Sequence, residues 1–233
     1  MRRWSPVRLA TTAALAGWAG LFWFILLSGR TPLYLSSRTA WVVPTGAIIL
    51  SLAAAGRLAT ARTERAETLS SRTTWAVAFV LVPVATILAL PPTALGSFAA
   101  DRRSLSAGFS TGGPDLSGDG AVTLASVAAA GWSDETRAAL VRRAGSPVSF
   151  DGFVSRRDGQ AADEFHLTRF IVSCCVADAL SVQVRVVGAP PGRFEEDDWV
   201  RVRGTFYPVG HEMIVDASSV EPIPQPSDPY LNV

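Results

Sequence analysis

The stretch Phe165 to Ala179, FHLTRFIVSCCVADA, holds the residue types with the most chemistry to offer. Cys174 and Cys175 are the chain's two cysteines, and Asp178 follows three residues later. Thiolates and a carboxylate are ligands for zinc and other thiophilic ions. A metal ion is therefore the candidate cofactor, with Cys174, Cys175 and Asp178 as its candidate ligands. His166 and His211, the two histidines, are further donors. Arg169, set in an apolar strand, is a candidate charged contact that either pairs with a carboxylate or points outward.

Geometry narrows this set. Strand neighbours point to opposite faces, so Cys174 and Cys175 share one ion only if the chain turns there. Eight residues separate His166 from Cys174, roughly 26 Å of extended strand, which excludes that pair unless the strand ends early. Cys175 and Asp178 converge across a turn, yet no CxxC or HxH spacing is present. Adjacent cysteines also permit a strained vicinal disulfide, which is readily reduced. The plainer reading makes Cys174 a small buried apolar residue and Cys175 the start of a loop. His166 then reads as a strand residue and His211 as a hairpin tip. No Ser/His/Asp spacing, nucleophile elbow, phosphate loop or dinucleotide glycine pattern points to an enzyme.

These residues need elements to position them. The chain has 233 residues, 48% of them hydrophobic, with a formal charge of +1, so no global field recruits nucleic acid. Most of the apolar excess lies before residue 100. Leu9–Leu27, Thr39–Gly56 and Trp75–Leu90 are charge-free runs, and nineteen helical residues cover roughly 28 Å, about one hydrocarbon core. Three spans in a lipid bilayer follow, with Trp23, Trp41 and Trp75 near segment ends and Pro83 kinking the third. The Arg2-Arg3 start fits a signal peptide, but the run is longer than usual and lacks a clean small-residue cleavage site. Arginines concentrate at the N-terminus and in the second loop. That places both in the cytoplasm and the C-terminal domain outside a plasma membrane.

After residues 1–92, a Gly/Ser-rich linker occupies 93–120. Its DLSGDG run lacks the later ligands of a calcium loop. Residues 121–221 read as a small soluble domain. Ser133 caps a short helix from Asp134 to Ala144, with acids in its first turn and arginines in its last. The period then changes to alternation. Strands are expected at Val148–Arg156, Phe165–Cys174, Leu180–Val187, Trp199–Tyr207 and Glu212–Val220. Val182, Val184 and Val186 share one face, and Gln183 and Arg185 the other. Five strands in about seventy residues fit an OB-like β-barrel, so the fold class is an α+β membrane protein. The proline-rich tail 222–233 is unsuited to a sheet interior.

The same region resembles the YcgQ-like family of permease subunits. The matching residues are Gly152-Phe153, Arg169-Phe170, Cys175, Ala177-Asp178, Asp197-Asp198-Trp199, Gly204-Thr205 and Asp228-Pro229-Tyr230. The resemblance implies N-terminal spans and an accessory role beside a multi-spanning permease of the YcgR type. No nucleic-acid partner is expected, because the barrel's arginines are balanced by acids and an outer face seldom meets nucleic acid. The resemblance also implies metals, since family members carry histidine-rich runs in the cytoplasmic-side loop and a histidine where this chain has Cys174. Here that loop, Gly56 to Arg72, has no histidine. The expected function is an accessory subunit whose outer barrel binds metal or partner, with a membrane-tethered thiol or metal sensor as the alternative.

Overall fold

A computed structural model describes residues 3–63, 68–90, 93–103, 121–210 and 212–232. The chain forms two compact units, Met1–Thr93 and Ala94–Val233.

The first unit is helical. Helices α1 (Pro6–Leu27), α2 (Val42–Ala59) and α3 (Ser71–Ala89) are each long and apolar enough to cross a membrane. They are displaced by a few residues from the expected runs. Polar residues such as Arg8, Arg57 and Ser71 join the helix ends, because a helix stops where its backbone is capped rather than where apolarity stops. Leu21 and Ile25 of α1 meet Val43 of α2 and Val84 of α3 in a small buried core. Gly17 lies against Leu81 and Gly46 against Phe22, the small-residue contacts that bring membrane helices close. Helix α3 continues through Pro83. A proline removes one backbone donor, and in that turn the Trp18 indole donates to the Val80 carbonyl from α1. Two short strands, β1 (Arg3–Trp4) and β2 (Arg62–Thr63), pair antiparallel and join the chain before α1 to the chain after α2.

The second unit is the barrel. Its strands are β3 (Pro147–Ser155), β4 (Phe165–Val172), β5 (Leu180–Val187), β6 (Trp199–Val209) and β7 (Glu212–Pro222). Around the barrel they run β3–β6–β7–β5–β4 and close by pairing β4 with β3. All pairs are antiparallel except β5 with β7. This five-stranded closed order is that of an OB fold. The expected α+β class, three helices and then an OB-like barrel, is what the structure has.

Alternation drives closure. Phe165, Leu167, Val182, Val184, Val186, Val200, Val202 and Val215 are all but fully buried in one core. Burying each such side chain contributes about 1.5–3 kcal/mol. Two glycines permit the wall to bend. Strand β3 leaves β6 for β4 near Gly152, where a Cβ would meet the Thr168 carbonyl at 2.7 Å. The β6–β7 register shifts at Arg203/Gly204, where a Cβ on Gly204 would lie 2.1 Å from the Asp216 carbonyl oxygen.

Helix α5 (Leu124–Ala129), with its Thr123/Ser126 capping box, buries Leu124 and Val127 in the barrel core. It was not expected from the sequence. Helix α6 (Asp134–Val141) is shorter than the expected Asp134–Ala144, and Ser133 caps it by accepting from the Thr136 N–H.

The linker expected from residue 93 begins differently. Residues 94–103 belong to the barrel's unit and include helix α4 (Ser97–Ala100). Ala100, Leu95 and Ala99 pack with Phe153, Phe170, Val172, Ala179 and Tyr230 in a second apolar cluster. The Ser181 N–H donates to the Arg103 carbonyl, and the Asp197 carboxylate accepts from the Ser97 N–H. The tail ends in an edge strand rather than a sheet interior. Strand β8 (Tyr230–Asn232) pairs parallel with β4 at Phe170–Val172. Its prolines precede this edge strand, where a missing donor costs least. The DLSGDG run, most of the linker, Pro91-Pro92 and His211 lie outside the described residues.

Candidate thiol and carboxylate site

Strand β4 ends at Val172, two residues before the expected Cys174. The reason is Asp178. Its Oδ1 accepts from the Ser173 N–H at 3.0 Å, and its Oδ2 accepts from Cys174 at 2.8 Å and Cys175 at 3.3 Å. One carboxylate thus takes three backbone donors that would otherwise continue the ladder, and the chain curls around it. A 3-10 turn over Val176–Asp178 follows, closed by the Asp178 N–H to the Cys175 carbonyl. From outside the turn, Arg103 Nη1 donates to the Val176 carbonyl at 2.8 Å.

The turn brings the cysteines to the same side. Their Sγ atoms are 3.7 Å apart, the Cys174 thiol donating to Cys175. Both sulfurs and an Asp178 oxygen lie within 4.8 Å of one another. The condition set by strand geometry is met because the chain bends at Ser173–Cys174, while Cys175 itself stays extended at φ −152° and ψ 164°. Cys174 is exposed and Cys175 partly so, which replaces the expectation of a small buried apolar residue at 174.

The electrostatics follow from these contacts. Burial works to raise the Asp178 pKa, but hydrogen bonds from the Cys174 side chain and from the Cys174, Ser173 and Cys175 backbones outweigh it and hold it below the usual carboxylate value. The same Asp178 bond, then the neighbouring Cys175 thiol, pushes Cys174 up to about 11.

Arg169 lies outside this constellation. Its Nε donates to the Pro229 carbonyl and its Nη2 to the Asp228 carbonyl at 2.8 Å, and the guanidinium stands 5.8 Å from the Trp199 ring centre. Burial lowers its pKa. It clamps the tail onto the barrel. It also lines a cavity of about 570 Å³ with Arg201, Arg203 and Asp151. There Arg201 grips Asp151 with two bonds of 2.7 Å, lowering the Asp151 pKa.

A second concavity was missed in the sequence. It encloses about 310 Å³ and is lined by His166, Arg157, Gln183, Arg185, Glu212 and Arg137, among others. His166 is separate from the cysteines, as strand length requires. Its Nδ1 lies 3.0 Å from Gln160 Nε2. Burial, then the Arg157 charge, pushes its pKa down to about 4, so it is neutral at pH 7. Arg185 bonds Glu164 at 2.7 Å and Glu212 at 3.4 Å. The signal was available in the placement of Gln183 and Arg185 on one face of β5, with register pairing His166 to Arg185. What was missing was Glu212, which the parallel β5–β7 pair delivers.

The chain is therefore an OB-type barrel joined to a helical unit suited to membrane insertion. Residues 117–232, which include the whole barrel, match the family model of the DUF1980 C-terminal domain. No curated protein and no solved structure matches the chain.

Proposed function

We propose that this chain is the accessory subunit of a multi-spanning membrane permease of the YcgR type, as its resemblance to YcgQ-like subunits implies. The three helices sit in the plasma membrane with the N-terminus cytoplasmic. The barrel stands outside and caps the permease mouth, and the Cys174–Asp178 turn is its contact or ligand-bearing end. The subunit itself carries no catalysis.

The observation that carries this reading is helix α3. Val84 is its one buried residue, while Trp75, Phe79, Val80, Val82 and Leu88 are exposed. An apolar helix with so little covered by its own chain leaves most of its surface for lipid and for a partner's helices. Nucleic acid is a poor partner for the barrel, because Arg185, Arg201 and Arg203 are each paired with a carboxylate.

The test is co-expression with the multi-spanning permease encoded nearest to it, followed by purification in mild detergent. A stoichiometric complex is expected, and two proteins that separate completely sink the reading. Topology is tested by adding a membrane-impermeant maleimide to intact cells. An outer barrel reacts at exposed Cys174, whereas labelling only after lysis reverses the orientation. The 3.7 Å approach of the two sulfurs also favours a second reading, a membrane-tethered thiol or metal sensor. Two unreactive thiols and no bound metal would remove it.

A further inference from the structure

We infer that Cys174, Cys175 and Asp178 form a solvent-open, three-ligand site for a thiophilic divalent cation of the zinc class. This rests on the reading of the turn as the barrel's ligand-bearing end, and it does not require that a permease be bound.

Distances decide first. With zinc–sulfur bonds of about 2.3 Å and tetrahedral angles, two thiolates on one ion lie about 3.8 Å apart. The two Sγ atoms here are 3.7 Å apart. A sulfur and a carboxylate oxygen on the same ion lie about 3.6 Å apart. The Asp178 oxygen and both sulfurs fall within 4.8 Å, so small side-chain rotations close the remaining gap. The sulfurs already span one edge of a zinc tetrahedron.

Preorganisation comes second. Metal-ligating carboxylates are themselves held by hydrogen bonds, which fix their direction. Asp178 is held by three backbone N–H groups, and the turn is braced by Arg103 on Val176. The ligand carrier is thus built by the backbone before any ion arrives. Its neighbours Val172 and Ala179 are buried in the apolar cluster with Phe170 and Tyr230. The site sits on a rigid edge of the barrel rather than on a loose loop.

Ligand chemistry comes third. Two thiolates with one carboxylate form a mixed soft and hard set. That set suits zinc better than magnesium or calcium, which take oxygen, or copper(I), which favours all-sulfur ligation. Binding replaces the thiol–thiol hydrogen bond. Both S–H protons leave to solvent as two metal–sulfur bonds form, with no change in oxidation state. Three protein ligands leave a fourth tetrahedral position open. Because Cys174 is exposed, that position faces water. Closed four-ligand sites hold structural zinc, and an open position admits water or an incoming ligand. The site is therefore built for exchange of its ion and not for holding the fold. The barrel core contains none of the three residues.

The experiment uses the full-length chain, purified in detergent, reduced and stripped of metal. Zinc is titrated against a chromophoric chelator, and cobalt(II) is added as a spectroscopic stand-in. One equivalent per chain is expected, with release of thiol protons and a thiolate-to-cobalt charge-transfer band. C174S and C175S should each weaken zinc binding on the order of 100-fold and reduce that band, with the thermal midpoint unchanged. D178N should weaken binding less. Since D178N also disturbs the turn, the two serine variants carry the test. Absence of saturable binding at one equivalent overturns the inference, as does zinc binding that survives the C174S/C175S double variant. Wild-type protein that binds zinc but fails to co-purify with the permease defeats the proposed function and leaves the site standing.

Discussion

Strands β4 and β5 carry different chemistry at their two ends. Where β4 begins, His166, Gln160, Arg185, Glu164 and Glu212 form a partnered set in which Arg185 meets two carboxylates and the imidazole meets an amide. Where β4 stops, Asp178 forms no ion pair with an arginine among the described residues. It is held by backbone N–H groups and by the Cys174 thiol, and the two thiols beside it approach each other. Side-chain charges that satisfy one another consume their bonding capacity. Side chains held by the backbone keep theirs directed outward. The polar cluster around His166 is thus the more structural of the two, and the turn is the more chemical.

Four measurements break or sharpen this contrast. The largest effect comes from Gly204→Val. Its Cβ would lie 2.1 Å from the Asp216 carbonyl oxygen, where backbone cannot yield. A loss of about 4 kcal/mol or more is expected, erasing both ends together, as read from soluble folded yield and thermal midpoint. Survival with a near-native midpoint would refute the bulge geometry.

Asp178→Ala should separate the ends. It leaves three backbone donors without their acceptor, at about 2–3 kcal/mol. Backbone amide exchange should rise at Ser173–Cys175 and remain unchanged around His166. Equal loosening at both ends would show that the two are not independent.

Acid should act mainly at the other end. An unfolded histidine titrates near 6.5, and His166 in the fold near 4. The depressed value means that the unfolded chain binds the proton first. Stability is then full above pH 6.5 and is lost as pH falls towards 4. Arg157 and Arg185 strengthen this, and Glu164 and Glu212 oppose it. Allowing for solvent screening, the loss is about 2 kcal/mol. His166→Gln should flatten the midpoint-versus-pH curve over that window, and C175S should not. The same slope in both proteins would place the acid sensitivity elsewhere.

The smallest effect on folding is Cys175→Ser itself, within about 0.5 kcal/mol, because its side chain packs in neither barrel cluster. A larger loss would make the turn structural after all.

Much of this architecture was legible locally. Charge-free runs near twenty residues marked the three helices, since a bilayer demands that length. Alternation at Val182, Val184 and Val186 marked a wall strand, and Ser133 marked a helix start. The residues quoted for the family resemblance mostly turn out to build the barrel. Gly152 and Gly204 permit close backbone approach, Arg169 holds Asp228 and Pro229, and Asp197 takes up a left-handed backbone at φ 69° beside α4. None of those roles has a local signature, because each depends on a partner tens of residues away.

The sequence by itself determined the helical spans, the barrel class and the three residues offered as ligands for a soft ion, because periodicity and composition act over a few residues. The tertiary structure alone decided that residues 94–103 and Tyr230 cover the barrel, that Glu212 reaches Arg185, and that both cysteines face one way. Those outcomes depend on strand order and on where a strand ends. Here it ends where one carboxylate captures three backbone donors, and an alternating sequence pattern does not show that competition.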